Sequence, residues 1–259
     1  MGRGIKKSKN GKFEARMNQN GKYIHLGTFE SLEKAMICIA LLQNNIMENF
    51  IMKIISHRGN VFGPNTARYG ENHVMSIDEV RRDFPEFYVE ADMWYMGMTP
   101  PNDDSGSWFL AHDRKDAFKP GNIIMDIHEF LKKDRLYLHV KYNYWEMKRL
   151  NSQIWEANDQ LFKASTPDNP YTGPLKNDVF FHDQDDFVKT WNGTVWVHPK
   201  AILRNRRMGR IGDPMIAVLP EQEFNIQDEE VLKAILKGYS GICTDYAVHF
   251  DNMFNNKEE

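Results

Sequence analysis

KIISHRGN, residues 53–60, is an apolar run that ends abruptly in His57, Arg58 and Gly59. Short β-branched runs of this kind read as strands buried on both faces. The same punctuation recurs downstream. FYVEAD (87–92) closes on Glu90 and Asp92, WFLAHD (108–113) on His112 and Asp113, and LYLHVK (136–141) on His139 and Lys141. Glu71-Asn72 stands in the loop between the first two runs. DVFFHD (178–183), TVWVHP (194–199), MIAVLP (215–220) and GICTDY (241–246) complete the series, which with FIMKIIS (50–56) makes eight runs.

Eight buried parallel strands with titratable residues at their ends predict an α/β fold. The architecture expected for residues 49–259 is a (β/α)8 TIM-type barrel, which builds one site from the ends of many strands. Residues 71–84, 144–160 and 226–239 have helical character, the last ended by Gly238. A chain of 259 residues with 27% charged and 41% hydrophobic residues can hold one large domain, or a barrel plus a small appendage.

Charge separates the two. Eight Lys/Arg against three Glu leave residues 1–34 at +5, so in a chain of net charge −3 the remainder carries −8. The net charge of −3 argues against nucleic-acid binding over the whole surface, whereas a basic head on an acidic body suggests two modules with different partners. Residues 1–48 read as a small α+β unit. KFEARM and KYIHLGTF alternate in character and are joined by the hairpin turn NQNG. SLEKAMICIALLQNNI reads as a helix, with Ser31 as N-cap and Leu32, Met36, Ile39 and Leu42 at helical spacing.

This head resembles the ethylene-response-factor type of DNA-binding domain, also found beside phage nucleases. Gly11, Lys12, Phe13, Ala15, Arg16, Gly21, Lys22, Leu26, Gly27, Thr28, Phe29, Glu33 and Ala35 carry the likeness. RGIKKSKN, read as flexible, replaces that family's usual first strand. The resemblance implies DNA or RNA contact, with Arg16 and Lys22 facing a groove and Lys12 reaching phosphate. The competing reading is a solvated hairpin with ordinary lysines.

The first 30 residues have no apolar core of a secretory signal, and AMICIALL (35–42) is too short to span a bilayer. Cys38 and Cys243 read as buried free thiols of a reducing compartment. A cytoplasmic protein without a membrane span is the expectation.

The body's clusters suggest chemistry. Glu90 and Asp92, two apart on a strand, project to one face, where a divalent cation relieves their repulsion. A buried arginine would relieve it too. His57 and His112 can divide proton removal from proton delivery, since imidazoles titrate near neutral pH. Arg58 and Lys141 suit an anionic group such as phosphate. Together these point to phosphodiester cleavage.

The ordered set His57-Arg58-Gly59, Glu71-Asn72, Glu90-x-Asp92, His112-Asp113 and Lys141 resembles the glycerophosphodiester phosphodiesterase family of phospholipase-C-like barrels. GICTDY is similar to that family's last strand, and the likeness spans residues 51–246. It implies metal-dependent hydrolysis of a small-molecule phosphodiester, with His57 and His112 as general acid and base. Glu71, Glu90 and Asp92 fall at metal-ligand or near-ligand positions for Mg2+ or Ca2+.

Two departures stand out. His139 occupies a position where the family offers a carboxylate. As a ligand it moves the choice of ion toward Mn2+ or Zn2+; otherwise it is no ligand. VFGPNTARYG (61–70) lengthens the spacing from His57 to Glu71, as a cover for the site or a wall of its pocket. Trp94, Trp196 and Tyr246 are candidates for substrate contact, as are the polar residues His182, Asp183, Asp185, His198, Glu221 and Asp245 after later strands. Internal attack to a cyclic phosphate and direct attack by water both suit this set. A nucleic-acid-binding protein with a repurposed barrel is the rival, as is a phosphodiesterase directed to nucleic acid by its head.

Replacing Lys12, Arg16 and Lys22 together by Ala should weaken binding of duplex DNA. It should also lower the slope of log affinity against log salt by roughly 0.9 for each phosphate left without its cationic partner. An unchanged salt slope in a filter-binding titration would assign these residues to plain solvation.

Overall fold

The computed structural model describes residues 3–7, 10–19, 22–29, 51–97, 106–166, 173, 175–181, 186–203, 214–236 and 238–255. It divides into two compact units. One comprises Met1–Ile51 with Phe224–Gly238, a segment that the 1–48/49–259 division assigned to the body; the other comprises Met52–Glu223 with Tyr239–Glu259.

In the first unit β1 (Arg3–Lys7), β2 (Phe13–Gln19) and β3 (Lys22–Phe29) form an antiparallel sheet in that order. The hairpin expected at NQNG pairs Gln19 with Lys22, and a bulge falls between Ala15 and Arg16. RGIKKSKN is not a flexible substitute for a first strand: Arg3–Lys7 pairs with Met17–Phe13 along its whole length. The lysines hid this, because an edge strand tolerates charge that a central one does not. The helix expected over residues 31–46 and Cys38 lie outside the described residues. α4 (Glu229–Leu236) belongs to this unit and stops before Gly238, whose φ of +110° suits glycine.

The second unit is a mixed α/β structure. Its strands are β4 (Lys53–His57), β5 (Tyr88–Met96), β6 (Ser107–Leu110), β7 (Ile123–Ile124), β8 (Leu136–Val140), β9 (Asp178–Phe180), β10 (Phe187–Lys189), β11 (Val195–Val197), β12 (Met215–Val218) and β13 (Gly241–Thr244). They make one ten-stranded sheet. A parallel ladder runs β11–β12–β13–β4–β5–β8–β9. The sheet is not closed by strand pairing between β9 and β11. There the Trp191 N–H donates to the Val179 carbonyl at 2.9 Å, and β10 pairs antiparallel with β11. α1 (Val74–Asp83), α2 (Ile127–Leu131), α3 (Tyr144–Lys163) and α5 (Ala247–Phe254) bring the described helices to five.

Seven of the eight expected runs lie in the parallel ladder. The eighth, WFLAHD, does not: β6 pairs antiparallel with β5, from Met93↔Leu110 to Met96↔Ser107. β5 is nine residues long, and its pairing ends at Glu90 with β4 and at Met93 with β8. Its last residues satisfy their backbone groups by reversing into a hairpin. A Cβ on Gly97 would lie 2.7 Å from the Gly106 Cα, so only glycine allows the two arms this approach.

One residue from each of six parallel strands (Ile55, Tyr137, Phe180, Trp196, Ile216 and Cys243) forms a buried cluster on one face of the sheet. The Trp196 ring stacks on Phe180 at 4.6 Å and meets Tyr137 edge-on at 5.1 Å. On the outer side α3 buries Met147, Leu150, Ile154 and Ala157 and is capped by Asn143, whose Oδ1 accepts from the Glu146 N–H at 3.0 Å. α1 starts at Val74 rather than at Glu71 because Asn72 holds a left-handed φ of +56°. No helix among the described residues is long and apolar enough to cross a membrane.

β13 passes closely between its neighbours at Gly241, where a Cβ would lie 2.7 Å from Ile216 Cδ1 and 2.8 Å from the Lys53 carbonyl oxygen. Gly241→Ala should therefore destabilise the protein by about 1–3 kcal/mol, the usual cost of overpacking. A urea midpoint equal to wild type would show that β12 and β4 yield freely.

Candidate functional site

Parallel register gathers the titratable strand ends. His57 lies beside Glu90 in β4 and β5, and Asp92 beside His139 in β5 and β8. A cavity of about 260 Å³ opens over them. Its charged side is formed by His57, Arg58, Glu90, Asp92, His139 and Lys141. Phe180, Val188, Trp196, Val218 and Leu219 form an apolar wall, and His112, His198 and Gln222 also line the space.

Asp92 is the hub. Its Oδ1 lies 3.0 Å from His139 Nδ1 and 3.3 Å from Lys141 Nζ, and its Oδ2 lies 2.8 Å from Arg58 Nε and 3.1 Å from Asn72 Nδ2. Burial alone would raise this carboxyl, but the His139 hydrogen bond and the Arg58 charge outweigh it and hold the group well below the usual carboxylate range. Glu90 goes the other way. Burial and then the Asp92 charge push it up to about 7, and its Oε2 has no hydrogen-bond partner among the described residues. Two carboxylates on one strand face are thus split into a charged acceptor and a group that resists ionisation.

The polypeptide around Arg58 is held in an unusual path. Arg58 and Asn72 have φ of +55° and +56°, each fixed by a backbone bond: the Arg58 N–H donates to the Glu90 carbonyl at 3.0 Å, and the Asn72 N–H to the Arg58 carbonyl at 3.1 Å. Left-handed backbone at a non-glycine residue persists only where surroundings enforce it. Here it turns the guanidinium onto Asp92 and, at 3.6 Å, toward Glu71. His57 Nδ1 lies 2.8 Å from Asp245 Oδ1, and its Nε2 lies 3.9 Å from Glu90 Oε2. Burial opposes a charge on this imidazole, but the Asp245 hydrogen bond and Glu90 win and raise its pKa. Burial keeps His139 below its ordinary value despite its bond to Asp92, which favours the neutral, ligating form.

Nine of the sequence candidates line this one cavity: His57, Arg58, Glu90, Asp92, His112, His139, Lys141, Trp196 and His198. His112, at the end of β6, is half exposed and bonds Asp113 through Nδ1 at 3.0 Å. Trp196 is only 4% exposed, and its Nε1–H has no partner among the described residues. Other candidates stand elsewhere. Glu71 spends one oxygen on Asn60 Nδ2 at 2.7 Å and turns the other toward Arg58. Trp94 donates to the Ala111 carbonyl at 3.1 Å and packs against the cluster of Phe109, Ala111 and Ala117. Tyr246 packs on Gly63, where a Cβ would lie 3.3 Å from its ring. In the head Lys12 is exposed, while the side chains of Arg16 and Lys22 lie outside the described residues, as do His182, Asp183 and Asp185.

Asn60, Leu219 and Gln222 were not singled out from the sequence, and Asp245 was seen only as a later-strand contact. Leu219 carries a φ of +44° at the cavity wall, a conformation that costs a bulky residue and that no side-chain pattern announces.

Glu90, Asp92 and His139 each offer a ligand atom, and these lie within 4.8 Å of one another. The unpartnered Glu90 oxygen fits a divalent ion there; Asp92 would have to share contacts it already makes with Arg58 and Lys141. Glu71 is not part of this group. Comparison with protein-family models, with curated proteins and with solved structures found no match.

The Glu90 carboxyl gives a signed pH dependence. Its value in the unfolded chain is near 4.5 and in the fold about 7. Between these pH values the fold keeps a proton that the unfolded chain has lost. Its contribution to stability therefore falls by about 3 kcal/mol as pH rises through that window and is level above it. Urea midpoints in chelator should show Glu90→Gln gaining on wild type from pH 5 to pH 8. A constant difference would place the raised group elsewhere.

Proposed function

We propose that this protein is a metal-dependent phosphodiesterase of the glycerophosphodiester phosphodiesterase type, acting on a small-molecule phosphodiester. The observation that carries the reading is the convergence of four histidines, two carboxylates and two cations on one cavity of about 260 Å³. A TIM-type barrel is the architecture we assign to the second unit. Its support is the chain order of the ladder β4, β5, β8, β9 and β11, β12, β13, with β13 returning to pair with β4. The buried cluster drawn from six strands supports it too.

In this reading Glu90, Asp92 and His139 hold a divalent ion: Mg2+ or Ca2+, or Mn2+ given the imidazole. When bound, the ion supplies Lewis-acid polarisation of the phosphoryl oxygens. Arg58 and Lys141, already at the cavity, bind the anionic phosphoryl group and hold it through the transition state. His57 takes at Nε2 the proton of the attacking hydroxyl, that of water or of the substrate itself, because Nδ1 is engaged by Asp245. His112, more exposed and on the opposite hairpin arm, delivers a proton to the leaving oxygen. The apolar wall excludes water on the far side. The basic head, with Lys6, Lys7 and Lys12 exposed, supports a second assignment, contact with DNA or RNA.

Glu90→Gln with Asp92→Asn should abolish the rise in melting temperature caused by Mn2+ and with it the hydrolysis of glycerophosphodiesters. His57→Ala and His112→Ala should each lower turnover by roughly 10²–10⁴, and the double variant little further. Near-wild-type turnover in His112→Ala would remove it from proton transfer.

A further inference from the structure

Asn60 is fully buried, and its side chain is engaged at both ends. Its Oδ1 accepts from the backbone N–H groups of Thr66 and Ala67, each at 3.1 Å. Backbone amides only donate, so the orientation of this side chain is fixed and its Nδ2 must face the carboxylates. There it donates to Glu71 Oε1 at 2.7 Å and to Asp245 Oδ1 at 2.9 Å. The same Asp245 oxygen lies 2.8 Å from His57 Nδ1. An ionised carboxylate only accepts, so this contact requires the proton to be on Nδ1. Asp245 is held from its backbone as well: its N–H donates to Glu221 Oε1 at 2.8 Å, and its carbonyl accepts from the Gly63 N–H at 2.8 Å.

We propose that Asp245 and Asn60 are positioning residues. Asp245 keeps the Nδ1 proton on His57 so that Nε2 alone faces the cavity, and Asn60 ties that carboxylate to the loop 61–70. The loop that lengthens the path from His57 to Glu71 is thereby a brace for the imidazole. The brace deepens the phosphodiesterase reading and rests on it for its purpose, but the tautomer it dictates is independent of any reaction.

The test is long-range ¹⁵N–¹H correlation NMR of the full chain, at a pH where the His57 ring is neutral, together with turnover of glycerophosphodiesters. Wild type should show the proton on Nδ1 and a bare Nε2. Asp245→Ala should shift the ring toward the Nε2-protonated form and lower kcat by about 10²-fold or more, with KM within about twofold. Asn60→Ala, which leaves Asp245 present but untied, should give an intermediate tautomer ratio and an intermediate loss.

A wild-type ring protonated on Nε2 overturns the proposal without any variant having to fold. An Asp245→Ala ring still protonated on Nδ1 overturns it as well. If the tautomers behave as expected and wild type cleaves no phosphodiester, the brace stands and the activity assignment falls. If wild type cleaves the substrate while the tautomer ignores both variants, the reverse holds.

Discussion

A single buried carboxylate organises the site. Asp92 is fully buried, and a charge in that position is tolerated only when its lone pairs are occupied. Asn72 and His139 hydrogen-bond it while Arg58 and Lys141 lie against it as counter-charges, and these four come from the end of β4, the loop after it, and the end of β8. Satisfying Asp92 therefore assembles three chain segments. The left-handed backbone at Arg58 and Asn72 is the local cost of reaching it. Glu90, two residues away, takes the opposite character, because burial and then the Asp92 charge oppose its ionisation.

The cavity has two unlike sides, and the difference follows from strand order. The charged side is carried by β4, β5 and β8, and the apolar wall by β9, β11, β12 and the segments after them. An anion drawn to Arg58 and Lys141 meets a desolvating wall across a space of about 260 Å³, which strengthens each polar contact it makes.

Strand identity and most of the cavity lining were legible in the sequence, because each run paired a buried strand with a titratable end. His57, Glu90, Asp92 and His139 are adjacent through parallel register, which a β-branched run bounded by polar residues predicts well. Direction was harder to read. WFLAHD is as apolar as its neighbours, and nothing local says that the strand before it outlasts its own parallel partners. The lysines of Arg3–Lys7 masked an edge strand in the same way. Trp94 and Tyr246 illustrate a third limit. An aromatic near a strand end reads alike whether it faces a cavity or braces a loop, and these two brace loops. Asn60 left even less trace. Its weight comes from two backbone N–H groups and two carboxylates brought together in space, from residues that run to Asp245.

The double duty of β5 has an evolutionary consequence. One stretch of nine residues pairs with β4 and β8 on its early part and with β6 on its late part. Removing or adding one residue there would swing both carboxylates to the opposite face and shift His112 out of step at the same stroke. Point substitutions along β5 can be absorbed singly. Length changes cannot, and insertions and deletions among descendants of this gene should be concentrated elsewhere, leaving β5 as the fixed ruler against which the rest of the chain is spaced.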